Sequence, residues 1–167
     1  MREYYFDPKQ FFIDPIVLKT RYSIWGYSDL EMHWYEFINE DLTHFIDELN
    51  KHIKAIKPDI ELSVAVKADY LTARNEFYQE WMNWLNSGLV DFVCLMAYTK
   101  DIKPILDKTL VAVKEPHRIT VGLGLYLLSP IDIKKQVSFV NTLPVSGVVF
   151  FSYEEVKKNK NYLKALR

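Results

Sequence analysis

Several ionisable or hydrogen-bonding side chains gather where apolar runs stop. Lys67 ends "IELSVAVK" and Asp69 follows it, Tyr98 and Asp101 follow "VDFVCLMA", Tyr126 lies near the end of "RITVGLGLYLL", and Ser152 and Glu154 follow "VSGVVFF". A pair of carboxylates can move protons or attack an electrophilic carbon, and a lysine can pair with an acid or act as an amine nucleophile. A tyrosine can donate a hydrogen bond or stack on a ring. Each residue also has a plainer reading. Asp101 suits the N-cap of the next helix, Lys67 and Asp69 a surface ion pair, and Glu154 and Glu155 the first turn of a helix. Asp91 stands at the opposite end of its run and reads as structural.

The elements that must position these groups alternate between two hydrophobic periods. Residues 34–56 place Trp34, Phe37, Ile38, Leu42, Phe45, Ile46, Leu49, Ile53 and Ile56 on one helical stripe, closed by Lys57-Pro58. Strands are expected near 60–67, 91–98, 119–126 and 146–152. Between them a loop at 68–76 leads to a helix ending at Gly88, a second helix covers 102–115, and a third runs from Ser129-Pro130 to about Val140. A final helix follows from Glu154. Strand and helix alternate four times, which predicts parallel strands joined by right-handed crossovers.

Parity within the strands distinguishes their faces. Leu62, Val64 and Val66 share one side of the first strand, and Ser63, Ala65 and Lys67 the other; Val121, Leu123 and Leu125 oppose Thr120, Gly122, Gly124 and Tyr126 in the third. One face is bulky and aliphatic, as a helix layer requires. The other is small, then polar at the C-terminal end. A doubly wound sheet needs bulk on both faces, whereas a barrel interior has little room and carries its chemistry on the upper rim. The reading is an α/β fold of parallel (β/α) units, four strands being half of a TIM barrel.

Composition sets bounds. The 167 residues are 49% hydrophobic and 26% charged with a net charge of −1, so the chain can bury a core and makes no electrostatic case for nucleic acid as a partner. Aromatic residues reach 15%. No stretch is long and apolar enough for a membrane span, and the first residues lack the order of a signal peptide. Cys94 is alone and reads as a small core residue; Trp81 and Trp84, three apart on a helix, read as packing. His33, His44, His52 and His117 show no metal-ligand spacing, and no glycine-rich phosphate loop is present, so no cofactor is expected.

The tryptophan-containing helix before Gly88, Val90-Asp91-Phe92, Met96-Ala97-Tyr98 and the Gly147-Val-Val-Phe-Phe-Ser strand resemble the C-terminal half of bacterial glycosyl hydrolase-like family ten proteins, over about residues 25–156. The resemblance implies strands five to eight of a (β/α)-eight barrel, with residues 1–30 an irregular segment. It implies one domain over 1–167 that is a fragment of a larger catalytic barrel, since the family's Asp near an Arg-Tyr-Pro motif is absent. The implied activity is hydrolysis of glycosidic bonds in a poly- or oligosaccharide by two carboxylates, the fragment alone being inactive. Met96 and Tyr98 resemble the Met-x-Tyr of chitinase-type barrels, whose tyrosine contacts substrate. Thr99 stands where an acid follows in that motif, and Asp101 is the carboxylate placed to compensate. Asp101 and Asp69 are therefore the catalytic candidates, and Tyr98, Lys67, Tyr126, Glu154, Ser152 and Trp25 the substrate-binding ones, with Trp25 and Tyr27 as a sugar platform. All but Trp25 and Tyr27 come from successive strand ends and are expected around one cavity.

Two other readings stand beside this one: a carbohydrate-binding or cell-envelope scaffold without turnover, and a lyase or aldolase barrel using Lys67. The open edges of a half-barrel predict self-association unless residues 1–30 cover them. The parent protein is expected outside the cytoplasm or at the cell envelope.

Overall fold

The computed structural model describes residues 30–165, with side chains from residue 36 onward. The chain divides into two compact units, Met1–Phe37 and Ile38–Arg167, and the sheet lies in the second. Along the chain run α1 (Leu30–Ile56), β1 (Ser63–Lys67), α2 (Tyr70–Phe77), α3 (Trp81–Asn86), β2 (Phe92–Met96) and α4 (Lys103–Leu110). After a 3-10 turn at Pro116–Arg118 come β3 (Ile119–Gly124), a second 3-10 turn at Leu125–Leu127, α5 (Pro130–Val140), β4 (Gly147–Phe151), α6 (Tyr153–Lys158) and α7 (Asn161–Ala165).

The four strands form one sheet in sequence order, every neighbouring pair parallel. This is the arrangement that alternating strands and helices predict, an α/β fold consistent with part of a TIM barrel. Register fixes the faces. Val66, Val93, Leu95, Val121 and Leu123 are fully buried, and Trp81, Trp84, Leu85, Leu106 and Ile133 from the helices and their connections join the same core. Truncating one such side chain, Leu95→Ala for instance, costs about 2–5 kcal/mol by lost transfer energy and the cavity left behind. On the opposite face, cross-strand rows read Ala65, Cys94, Thr120, Gly147 and then Lys67, Met96, Gly122, Val149. That face is partly exposed, as the small-residue parity required.

The N-terminal edge of the sheet is held by charge. Asp91 Oδ2 accepts from the Leu62 backbone N–H at 2.7 Å and from Lys54 Nζ at 2.9 Å. Burial pushes its carboxyl up, but the Leu62 N–H, Lys54 and Arg118 outweigh it and hold the group below the usual carboxylate range. Arg118 donates to the carbonyl of Leu85 near the end of α3 and to those of Val90 and Asp91 at the foot of β2, tying the helix end to the strand start. Asp91 thus serves stability, on the side of the sheet where a barrel keeps it.

Several local expectations are corrected. In α1, Phe45 and Ile56 are exposed, at 59% and 87%. The buried line runs through Ile46, with Thr43 accepting from Trp84 Nε1 and Asn50 donating to the Leu89 carbonyl, and residue 45 points about 100° away from it. The segment 68–76, read as loop, contains α2, because the Asp69 side chain caps it by accepting from Thr72 N–H. The C-terminal helix is two short ones, interrupted at Asn159, whose side chain accepts from Asn161 N–H. Cys94 is half-buried on the open face rather than in the core, and burial pushes its thiol up. Gly88 follows α3 with φ of +74°, where the αL closing geometry favours glycine and Leu89 N–H returns to the Trp84 carbonyl.

Candidate functional site

The open face ends, at the C-terminal edge of the sheet, in an aromatic cluster. Tyr98 lies two residues beyond β2, where Thr99 N–H folds back onto the Ala97 carbonyl. Tyr126 sits on the 3-10 turn that follows β3, and Phe151 is the last residue of β4. The Tyr98 and Phe151 rings stack, with centroids 5.3 Å apart and planes 19° apart. Tyr126 meets Tyr98 edge-on at 6.2 Å and Phe151 at 6.3 Å. Tyr126 and Phe151 are each half exposed, and Tyr98 is more enclosed.

Two glycines make this cluster possible. A Cβ on Gly122 would lie 2.9 Å from the Leu95 carbonyl oxygen and 3.4 Å from Tyr98 Cε1; one on Gly124 would lie 3.1 Å from Tyr126 Cε1 and 3.3 Å from Tyr98 Cβ. The rings occupy the space that larger residues would fill. Burial first, then the neighbouring Tyr126 and Cys94, push the Tyr98 phenol up, so it stays protonated at neutral pH and is available as a donor.

The remaining sequence candidates are held by other partners. Asp69 Oδ1 accepts from Thr72 N–H and Oδ2 pairs with Lys108 at 2.9 Å. These contacts, the Thr72 N–H foremost and then Lys108, keep its carboxyl below the usual range. Lys67 lies in the open-face row, but its Nζ sits over the Phe77 ring, 4.4 Å from the centroid. Asp101 is exposed and accepts from Lys103 N–H at 3.1 Å, one residue ahead of the N-cap of α4. Glu154 pairs with Lys157 and Glu155 with Lys158 on α6. Ser152 is the N-cap residue of α6 without a side-chain capping bond. Trp25 and Tyr27 lie outside the described residues.

Of the expected constellation, then, the fold brings Tyr98 and Tyr126 together and adds Phe151, which the sequence reading passed over. Its signal was the parity Gly147, Val149, Phe151. Adjacent Phe150 and Phe151 hide that parity until pairing with Gly124 fixes which ring faces the rim. Among the described residues no group of three or more His, Cys, Asp or Glu side chains could hold a metal ion.

Four parallel strands alternating with helices define the class as an α/β fold consistent with part of a TIM barrel. The chain belongs to the glycosyl hydrolase-like 10 family, whose model matches residues 8–126. That match begins ahead of the segment that carries the resemblance and ends at Tyr126, so it includes Tyr98 and leaves out β4 and Phe151. No curated protein and no solved structure matches this chain. No helix among the described residues is long and apolar enough to cross a membrane.

Proposed function

We propose that this chain supplies the sugar-binding rim of a glycosidase-like barrel that acts on a poly- or oligosaccharide. The observation that carries the reading is the Tyr98–Phe151–Tyr126 cluster on the open face. Sugar rings present C–H faces that pack on aromatic faces, and the two phenols can reach ring hydroxyls. Hydrolysis needs a proton donor and a base or nucleophile. Asp69, with its pKa lowered, suits only the base or nucleophile role, and Asp101, three residues past Tyr98, is the acid to test.

The test is calorimetric titration of the chain with cellotetraose and chitotetraose, repeated with Phe151→Ala and Tyr126→Ala. The reading expects affinity to fall about tenfold in each variant, the loss of one aromatic contact. Equal affinity in all three proteins would overturn it.

A second reading is favoured by one observation: Asp69 and Asp101 both bind backbone N–H groups at helix starts. On that reading the rim binds sugar without turnover. Binding by a protein that includes this chain, with no reducing ends released, would distinguish it.

A further inference from the structure

Resting on the sugar-rim reading, we infer that Gln136 and Tyr162, two buried side chains of the outer helices, are positioning residues that set the shape of the aromatic rim. Gln136 of α5 donates through Nε2 to the carbonyls of Thr99 and Lys100, at 3.2 and 3.0 Å. Those carbonyls lie between Tyr98 and Asp101 in the loop leaving β2. Tyr162 of α7 shares its hydroxyl proton between the carbonyls of Leu125, at 3.0 Å, and Leu128, at 2.8 Å. Those two flank Tyr126.

Each side chain is 7% exposed, so water does not readily replace these bonds. The Leu125 carbonyl would keep the 3.3 Å bond from Leu128 N–H, while loss of a donor at the other three carbonyls is costly. Gln136 Oε1 has no hydrogen-bond partner among the described residues. The amide is therefore oriented by its donor side alone, since an oxygen turned toward the two carbonyls would be repelled. Neither residue is among the ring contacts of the cluster, and both act through the backbone that carries it. Helices on the outer layer thereby fix two loops on the far edge of the sheet. The fold uses long side chains because these loop carbonyls have left the strand ladder.

The experiment uses the full chain with Tyr162→Phe, which removes only the hydroxyl, and Gln136→Glu, which keeps the shape but loses both donors when ionised. Amide hydrogen exchange is read for residues 98–101 and 125–128 against wild type at the same pH. Tyr162→Phe is expected to speed exchange about tenfold at 125–128 only, the opening weight of a lost hydrogen bond. Gln136→Glu is expected to do so at 98–101 above the pKa of the new carboxyl, which burial and the two facing carbonyls raise, and to recover below it, where the protonated carboxyl again donates one bond.

Chitotetraose and cellotetraose affinities are measured on the same proteins, and about fivefold weaker binding is expected wherever the loop has loosened. Unchanged exchange in both loops, or acceleration spread evenly over the sheet, would overturn the inference, as would wild-type sugar affinity in a variant with a loosened loop. Loosened loops in a protein that binds neither sugar would leave the positioning of the rings intact and sink the sugar reading instead.

Discussion

At the scale of the residue, the issue is whether a carboxylate at a strand end is there for chemistry or for capping. Asp101 accepts from Lys103 N–H, a bond that asparagine can keep while giving up its ionisable group. In a longer protein that includes this chain and hydrolyses a sugar, Asp101→Asn is expected to reduce kcat about 10²–10⁴-fold if Asp101 transfers the proton. Wild-type turnover with unchanged Tm would leave it a turn residue. Asp69 permits a different measurement. Its carboxyl is held low by the Thr72 N–H and by Lys108, so the stability it contributes is present above the unfolded-state pKa, about 3.9. That stability is lost as pH falls through the lower, folded value. Asp69→Asn keeps a capping oxygen but drops the ion pair, a loss of about 0.2–1 kcal/mol near pH 7. In urea unfolding, the gap between wild type and Asp69→Asn should close as pH drops below about 4. A gap that persists at pH 2 would mean the ion pair is not its source.

At the scale of the element, β3 matters most to the rim, because its two glycines face the same side as the tyrosines they accommodate. The two substitutions should behave differently. At Gly122 the new methyl meets the backbone oxygen of Leu95 at 2.9 Å, which cannot move without disturbing the β2–β3 ladder. Gly122→Ala is therefore expected to destabilise by about 1–3 kcal/mol in urea titrations. At Gly124 the closest atoms are the Tyr126 ring and the Tyr98 Cβ, at 3.1 and 3.3 Å. The Tyr126 ring can rotate away, so Gly124→Ala should cost less stability and change the near-ultraviolet dichroism of the tyrosines more. Equal stability losses at both positions would mean the rings are not what Gly124 makes room for.

At the scale of the whole molecule, β1 and β4 each have one strand neighbour within the described sheet, and Val149 and Phe151 are about half exposed on its open face. Unpaired parallel edges beside an apolar face favour association. Sedimentation velocity of the chain should show mass rising with concentration, and Val149→Lys should reverse the trend. A monomer at every concentration would contradict this, and residues 1–30 would then be the segment to test for cover.

Much of this was legible from residue order alone. Val66, Val121 and Leu123 alternate with Ala65, Gly122 and Gly124, and a period of two admits only one assignment to faces. The crossover helices between runs impose parallel pairing. Ser129-Pro130 announces the start of α5 because proline suits the first turn and serine caps it. The sequence therefore determined the sheet, its order and its bulky face, whereas β2 and β3 end at Met96 and Gly124, two residues short of the expected Tyr98 and Tyr126. It did not determine where their functional groups would go. Asp69 meets Lys108 39 residues away, and Gln136 reaches the Thr99 carbonyl 37 residues back. Phe151 stacks on Tyr98 only because register carries it past Gly124. Strand identity follows from short-range periodicity that any window of the chain displays. Side-chain partnerships across elements follow from packing and register, and those exist only once the layers have closed on one another.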